Sequence, residues 1–309
     1  MKILVTYRIP ADSFSALGKE HEYTLPSNEF FTDDELMQMI GDYDALLPIF
    51  LRPLKRELVE AGHRLKIISN FGVGYNNIDV VHARSRGIVV CNTPRSVCFP
   101  TAEMAMALML AAARRVAECD RRIRLEKESM WGTMRNLGLT LEGRTLGIIG
   151  MGNIGKTVAG MAAAFRMKVV YHNRHSVVEG YERVDLEELL RRSDFVSIHA
   201  PLTEETRYMI DRPQLALMKP TAIIVNTARG AIIREEALAE ALAAKKIAAA
   251  ALDVFENEPH VNELLYTLDN VVLTPHNATG TIDTRVATGR EAIDNILNFH
   301  AGRPTNVVN

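Results

Sequence analysis

Short apolar runs alternate along the chain with stretches in which hydrophobic residues recur every three or four positions. The runs are Ile3–Val5, Ala45–Leu47, Leu65–Ile68, Ile88–Val90, Leu146–Ile149, Lys168–Tyr171, Phe195–Ile198, Ala222–Val225, Ala250–Leu252 and Val271–Leu273. Most are too apolar to leave a wet face, which predicts strands buried on both sides. Helix-like segments such as DLEELLRRSD and REEALAEALAAKK lie between most of them. This alternation predicts an α/β protein with parallel sheets covered by helices. The long apolar stretch TAEMAMALMLAAARR divides the runs into an earlier and a later group. That break predicts two doubly wound domains, one of residues 1–98 and 283–309, the other of residues 99–282. The last helical segment, TRVATGREAIDNILNFHAG, is expected to return to the first domain.

Composition narrows the class. A chain of 309 residues, 47% hydrophobic and 24% charged, is long enough for two good cores and reads as soluble and globular. Its formal net charge of −2 argues against a nucleic-acid-binding surface. The first residues, MKILVTYRIP, carry too short an apolar run for a signal peptide. TAEMAMALMLAAARR is shorter than the roughly 20 apolar residues of a membrane span, and is expected to be a buried helix in a core or at a subunit contact. Cys91, Cys98 and Cys119 form no CxxC pair and no metal-ligand spacing, so buried free thiols, a cytoplasmic location and no metal are expected.

Chemistry enters at TLGIIGMGNIGKTVAGMAAAF, a strand, a glycine turn and a helix. Gly150 permits the tight turn, Gly152 lets a pyrophosphate approach the backbone, and Gly155 allows close packing of helix on strand. Asn153 and Ile154 complete the turn, and the helix start supplies free N–H donors. The segment therefore predicts that the inserted domain is a Rossmann cofactor domain. The next strand ends MKVVYHNRHS, where an NAD site would place an acid on the ribose hydroxyls. Asn173 and Arg174 stand there instead. Without the carboxylate a 2′-phosphate is not repelled, and a guanidinium can pair with it, so NADP(H) is expected over NAD(H).

Ligands of open α/β sheets bind outside the carboxyl ends of strands. Those ends read Val73-Gly74, Ala200-Pro201, Thr227-Ala228-Arg229, Asp253 and His276, with Glu258 close after Asp253. Taken singly, His276 is a strand-end histidine, Glu258 a turn residue and Arg229 a helix cap or surface cation. Together on one rim they fit a reaction. A carboxylate beside an imidazole favours the protonated ring, which can pass its proton to a carbonyl oxygen as hydride reaches the carbon. Arg229 offers a fixed fork for a substrate carboxylate.

With these residues in place, the chain resembles the D-isomer-specific 2-hydroxyacid dehydrogenase family, which implies a Rossmann cofactor domain inserted in a flavodoxin-like substrate domain. NFGVGYNNID, GMGNIG, HAPLTEETR, NTARG, ALDVFENEP and LTPHNA occur in order over nearly its whole length. The resemblance implies that Arg229 anchors and polarises a 2-oxo acid, that His276 is the acid/base, and that Glu258 orients it. It further implies that the backbone at Val73 and Gly74 holds the substrate carboxylate. Asp253 and the Thr227 region would meet the nicotinamide end, with Ala200-Pro201 under the adenosine half. The helix after Pro100 would form a homodimer interface, and Trp131 would approach the partner's site.

Asn173-Arg174 resembles the pattern of the family's NADP-preferring glyoxylate and hydroxypyruvate reductases. IFLRPLKREL departs from the usual loop, so Leu51 and Arg52 are expected to shape the substrate pocket, with Arg52 either pairing with a second acidic group or simply solvated. The alternative function is an NAD(P)-sensing, corepressor-like binding protein of the same fold.

Overall fold

Strands built from Ile, Val, Leu and Ala have no polar face to offer water, so they pair in parallel and hide both surfaces under helices. The computed structural model describes residues 1–49, 52–127 and 132–309, and it contains two such sheets. They belong to two units, Met1–Cys98 with Thr279–Asn309, and Phe99–Ala278.

In the first unit, β1 (Lys2–Val5), β2 (Glu22–Thr24), β3 (Ala45–Leu47), β4 (Ile67–Ser69) and β5 (Val89–Cys91) are all parallel, in the order β2-β1-β3-β4-β5. This is the flavodoxin-like order. Leu4, Leu46, Ile68 and Val90 pack on one side, and Ile3, Val5 and Ile67 on the other. The helix Ile282–His300 covers that second side with Ala292, Ile293 and Ile296. Polar contacts fix it there. Ser69 Oγ donates to the Ala292 carbonyl at 2.8 Å, and the buried Glu291 carboxylate accepts from the N–H groups of Arg95 and Ser96 at 3.2 and 2.8 Å. The chain re-enters this unit at Thr279, slightly before the expected residue 283. Residues 279–281 belong with the helix because the Thr281 hydroxyl caps it and Arg285 reaches back to Thr279 Oγ1 at 3.2 Å.

In the second unit, β6 (Thr145–Ile149), β7 (Lys168–His172), β8 (Glu182–Arg183), β9 (Phe195–Ile198), β10 (Ile223–Asn226), β11 (Ala249–Leu252) and β12 (Val271–Leu273) run parallel in the order β12-β11-β10-β9-β6-β7-β8. Read from β8, this is the dinucleotide-fold order with one extra strand. The order reverses between β6 and β9, so the chain leaves these neighbours in opposite directions and opens a crevice beyond their carboxyl ends. The helix Cys98–Ala113 buries Ala102, Ala105, Met106 and Met109 in the core of this unit.

Two strands have no counterpart among the apolar runs. β2 and β8 sit at the sheet edges, expose polar residues, and are held by backbone pairing, which leaves no hydrophobic signature. The three cysteines are free, but only Cys91 is fully buried. Cys98 and Cys119 are half-buried, because their helices turn them toward the surface of the unit. Among the described residues no helix is long and apolar enough to cross a membrane, and no group of histidines, cysteines and acids could hold a metal ion.

Ile293 carries the docking of the C-terminal helix: its side chain is fully buried against the first sheet. Ile293→Ala is expected to destabilise this unit by about 3 kcal/mol, the ordinary result of opening a cavity in a close-packed core. Denaturant unfolding followed by circular dichroism measures the difference.

Candidate active site

The glycine turn has the shape its sequence calls for. Gly150 takes φ 95°, a left-handed conformation, and presses against the backbone of His199 and Ala200 at the end of β9. Gly155 packs on the Gly150 carbonyl. Gly152 differs: a Cβ built there would meet nothing within 4 Å. The space in front of its backbone is open, at the start of the helix Asn153–Ala164, whose N-terminus no side chain caps among the described residues. Free N–H donors, a positive helix end and room for a phosphate form an anion cradle. Asn153 and Ile154 are the first two residues of that helix, the former exposed and the latter half-buried, beside the opening.

At the end of β7, Asn173 folds back onto this turn. Its Oδ1 accepts the Met151 N–H at 2.7 Å and its Nδ2 donates to Ser176 Oγ at 2.8 Å. Arg174 is exposed and pairs with Glu205 at 3.1 Å. Arg183, on the edge strand β8, donates to the carbonyls of both Asn173 and Arg174 and so steadies the loop. Nothing in the sequence singled out Arg183, since its strand is polar and only two residues long.

The carboxyl ends of β9 to β12 bring the remaining candidates together. Ala200 is buried beside the glycine turn, and the Pro201 carbonyl is held by Thr206 Oγ1 at 2.7 Å. Thr227, after β10, is buried with no hydrogen-bond partner for its hydroxyl among the described residues. His199 has one ring nitrogen on Ser197 Oγ at 2.8 Å and the other, Nδ1, buried without a partner among those residues. Burial lowers the His199 pKa to about 4, so the ring is neutral. Buried polar atoms without partners are rare, and at a strand-end rim they mark space for a ligand or water.

Arg229 follows two residues later, half-buried, with Nη1 on the Ala228 carbonyl at 2.7 Å. Burial lowers its pKa, and the Glu258 carboxylate partly offsets this. The next residue must be glycine, because any side chain at Gly230 would overlap the Phe255–Glu256 peptide. This close approach sets the Arg229 loop against the loop carrying Glu258.

Glu258 Oε2 lies 2.6 Å from His276 Nδ1, with side chains 29% and 19% exposed. Its other oxygen accepts the Phe255 N–H at 3.0 Å. Burial pushes the Glu258 carboxyl up, but the hydrogen bond and charge of His276, the Phe255 N–H and the charge of Arg229 outweigh it and hold the carboxyl below its ordinary value. Glu258 is therefore ionised at neutral pH.

His276 has φ 49°, uncommon for a residue with a side chain. Asp253, at the end of β11, holds its loop in that shape. Fully buried, it accepts from Thr274 Oγ1 at 2.6 Å, Asn277 N at 3.0 Å and Ala278 N at 2.9 Å. Sequence reasoning placed Asp253 on the rim but missed these bonds, which link residues on separate strands.

In the first unit, Asn92 Nδ2 donates to the Val73 carbonyl and Asn70 Nδ2 to the Gly74 carbonyl, both at 2.8 Å. The N–H groups of Val73 and Gly74 have no acceptor among the described residues. Arg52 is half-buried and paired with an acid of its own unit. It binds Asp33 at 2.5 Å and the Phe31 carbonyl at 2.7 Å, over the Phe30 ring. Leu51 and Trp131 lie outside the described residues.

Comparison with known proteins bears on the whole chain. Residues 106–278 match the family described as D-isomer specific 2-hydroxyacid dehydrogenase, NAD binding domain. The chain is 41% identical to a glyoxylate reductase of Thermococcus litoralis and 43% identical to one of Korarchaeum cryptofilum, covering 100% of this chain and 96% of each relative. It also resembles the crystal structure of an NADPH-dependent glyoxylate/hydroxypyruvate reductase from Sinorhizobium meliloti in complex with NADP and malonate. That similarity has a TM-score of 0.86 and 31% identity, over 99% of this chain and 96% of the other. The chain belongs to the D-isomer specific 2-hydroxyacid dehydrogenase family and is an NAD(P)-dependent oxidoreductase.

Proposed function

We propose that this protein reduces a small 2-oxo acid of the glyoxylate or hydroxypyruvate type to the D-2-hydroxy acid, using NADPH in preference to NADH. The observation that carries this reading is the 2.6 Å contact between His276 Nδ1 and an ionised Glu258, with the Arg229 charge close enough to act on Glu258. The unit Phe99–Ala278 is the cofactor domain, and Met1–Cys98 with Thr279–Asn309 is the substrate domain.

The residues at the glycine turn fit a dinucleotide, since Gly152 leaves open the side from which a pyrophosphate would approach. Ala200, Pro201, Thr227 and Asp253 line the strand ends along which the rest of the cofactor would lie. When bound, reduced nicotinamide supplies the hydride. The protein's part is positioning and proton transfer. The Arg229 fork takes the substrate carboxylate and its charge draws electron density toward the carbonyl oxygen, while Val73 and Gly74 are the backbone N–H donors that the substrate domain offers. Glu258 binds His276 Nδ1 and orients the ring, and the proton passed to that oxygen comes from Nε2. In the reverse direction Nε2 removes the hydroxyl proton. The absence of an acid at Asn173, with Arg174 beside it, supports NADPH, because Arg174 can exchange the exposed Glu205 for a 2′-phosphate. A homodimer is part of the proposal, supported by Phe99, Ile123 and Leu125, large apolar side chains left exposed on neighbouring helices.

Following NADPH absorbance while glyoxylate and hydroxypyruvate are added tests the reading. The protein is expected to oxidise NADPH, and His276→Ala to lower kcat on the order of 10³-fold with NADPH affinity unchanged. No oxidation with any 2-oxo acid would favour the sensing-protein alternative. Arg174→Ala is expected to weaken NADPH by about ten-fold or more and leave NADH alone; equal losses in fluorescence titrations with the two cofactors would remove the 2′-phosphate assignment.

The depressed Glu258 carboxyl also predicts a pH dependence. Its paired, ionised form is complete above the ordinary carboxylate value of 4.5 and is lost as pH falls through its lower folded value. Reductive kcat of the wild type is expected to drop as pH falls below about 4.5. Glu258→Gln is expected to be about 10²-fold slower and to lack that acid limb, measured where circular dichroism reports intact fold.

A further inference from the structure

The loop that carries Glu258 has a second acid beneath it. Glu235 opens the helix Glu235–Ala243, where a carboxylate ordinarily interacts with its own helix's N–H groups. Here it reaches away from the helix. Glu235 Oε2 accepts the Glu256 N–H at 2.7 Å, and Oε1 accepts the Asn262 N–H at 2.6 Å. The residue is 8% exposed, so both contacts are shielded from water.

These two donors are the ends of one loop. Between them lie Asn257, Glu258, Pro259, His260 and Val261, closed on themselves by the His260 N–H on the Asn257 carbonyl at 2.9 Å. One carboxylate therefore holds both stems of the turn from which Glu258 projects. The tie is reciprocal: Glu256 Oε2 accepts the Glu235 N–H at 3.1 Å, replacing the helix contact that Glu235 gave up. Tyr208 donates its hydroxyl to Glu256 Oε1 at 2.5 Å, and the Arg234 guanidinium lies 4.0 Å from the Tyr208 ring, covering the cluster from outside.

We infer that Glu235 is a positioning residue for the reaction, a buried clamp on both stems of the 256–262 loop that holds Glu258 at hydrogen-bonding distance from His276. This rests on the acid/base reading given above. Glu235 touches no reacting atom, and acts only through Glu258. A carboxylate is required because two N–H groups converge on it: glutamine keeps the length but turns an NH2 toward one of them. Displacement of a catalytic group by about 1 Å costs on the order of 10²-fold in rate, so a small relaxation of the loop has a large kinetic effect.

The test compares Glu235→Gln, Glu258→Gln and the double variant, with kcat, KM for the oxo acid, NADPH affinity and thermal unfolding measured for each. Glu235→Gln is expected to lower kcat ten-fold or more, with NADPH affinity within about two-fold of wild type because the glycine turn is untouched. In the Glu258→Gln background the same change is expected to cost less than about two-fold, since the group it positions is already gone. Equal losses in both backgrounds, or full kcat in a folded Glu235→Gln protein, would overturn the clamp. If Glu258→Gln alone keeps wild-type kcat and pH profile, the acid/base reading itself fails, a result distinct from either. Should Glu235→Gln not fold, Glu235→Asp carries the same comparison: its shorter carboxylate keeps the charge and reaches only one stem, and the same dependence on Glu258 decides the outcome.

Discussion

Glu258 and His276 meet because two adjacent parallel strands, β11 and β12, stop side by side and send out loops of different length. The pairing of Leu252 with Leu273 sets the register. From there the shorter loop delivers His276 and the longer one delivers Glu258. A 2.6 Å contact between two partly buried side chains is demanding, since each would rather be hydrated. It is sustained by fully satisfied acids underneath, Asp253 with three donors from the His276 loop and Glu235 with one donor at each stem of the Glu258 loop. The unusual backbone of His276 belongs to the same scheme, because a left-handed residue persists only where its surroundings dictate it.

The rim around this pair departs from the ordinary economy of a protein interior. Elsewhere in the second unit the buried side-chain polar atoms of the described residues are paired, as those of Asp194 are with Lys219 and with the Thr145 N–H. At the strand ends the Thr227 hydroxyl and His199 Nδ1 are buried without partners among the described residues, and Arg229 keeps a charge that burial disfavours. Each is costly in an isolated fold. Their concentration along the edge beside the glycine turn is what marks that edge as the candidate site. Burial alone keeps the His199 ring neutral, so a histidine's environment and not its identity decides its charge.

Much of this was legible because the relevant signals are local. A buried strand followed by Gly150, Gly152 and Gly155 and a helix is a continuous piece of chain, and its turn, packing and anion cradle follow from it. The central strands announced themselves by apolar runs. β2 and β8 did not, because an edge strand is stabilised by backbone bonds to one neighbour and can be polar throughout. The candidates on the rim were found by reading strand ends, yet their side-chain commitments were out of reach. Asn173 is tied to Met151 and Ser176, Arg174 to Glu205, and Arg52 to Asp33 and the Phe31 carbonyl. Each partner is set by where neighbouring loops come to rest.

Sequence alone determined the α/β class, the two sheets and the glycine turn, and named a set of candidate residues at strand ends, because hydrophobic period and glycine placement act over a few residues at a time. Only the tertiary structure decided which of those residues touch. The Glu258–His276 contact, the brace at Asp253 and the clamp at Glu235 each join loops from different strands or helices. Such contacts depend on sheet order and register, which arise from packing the whole unit and leave no trace in any single stretch of chain.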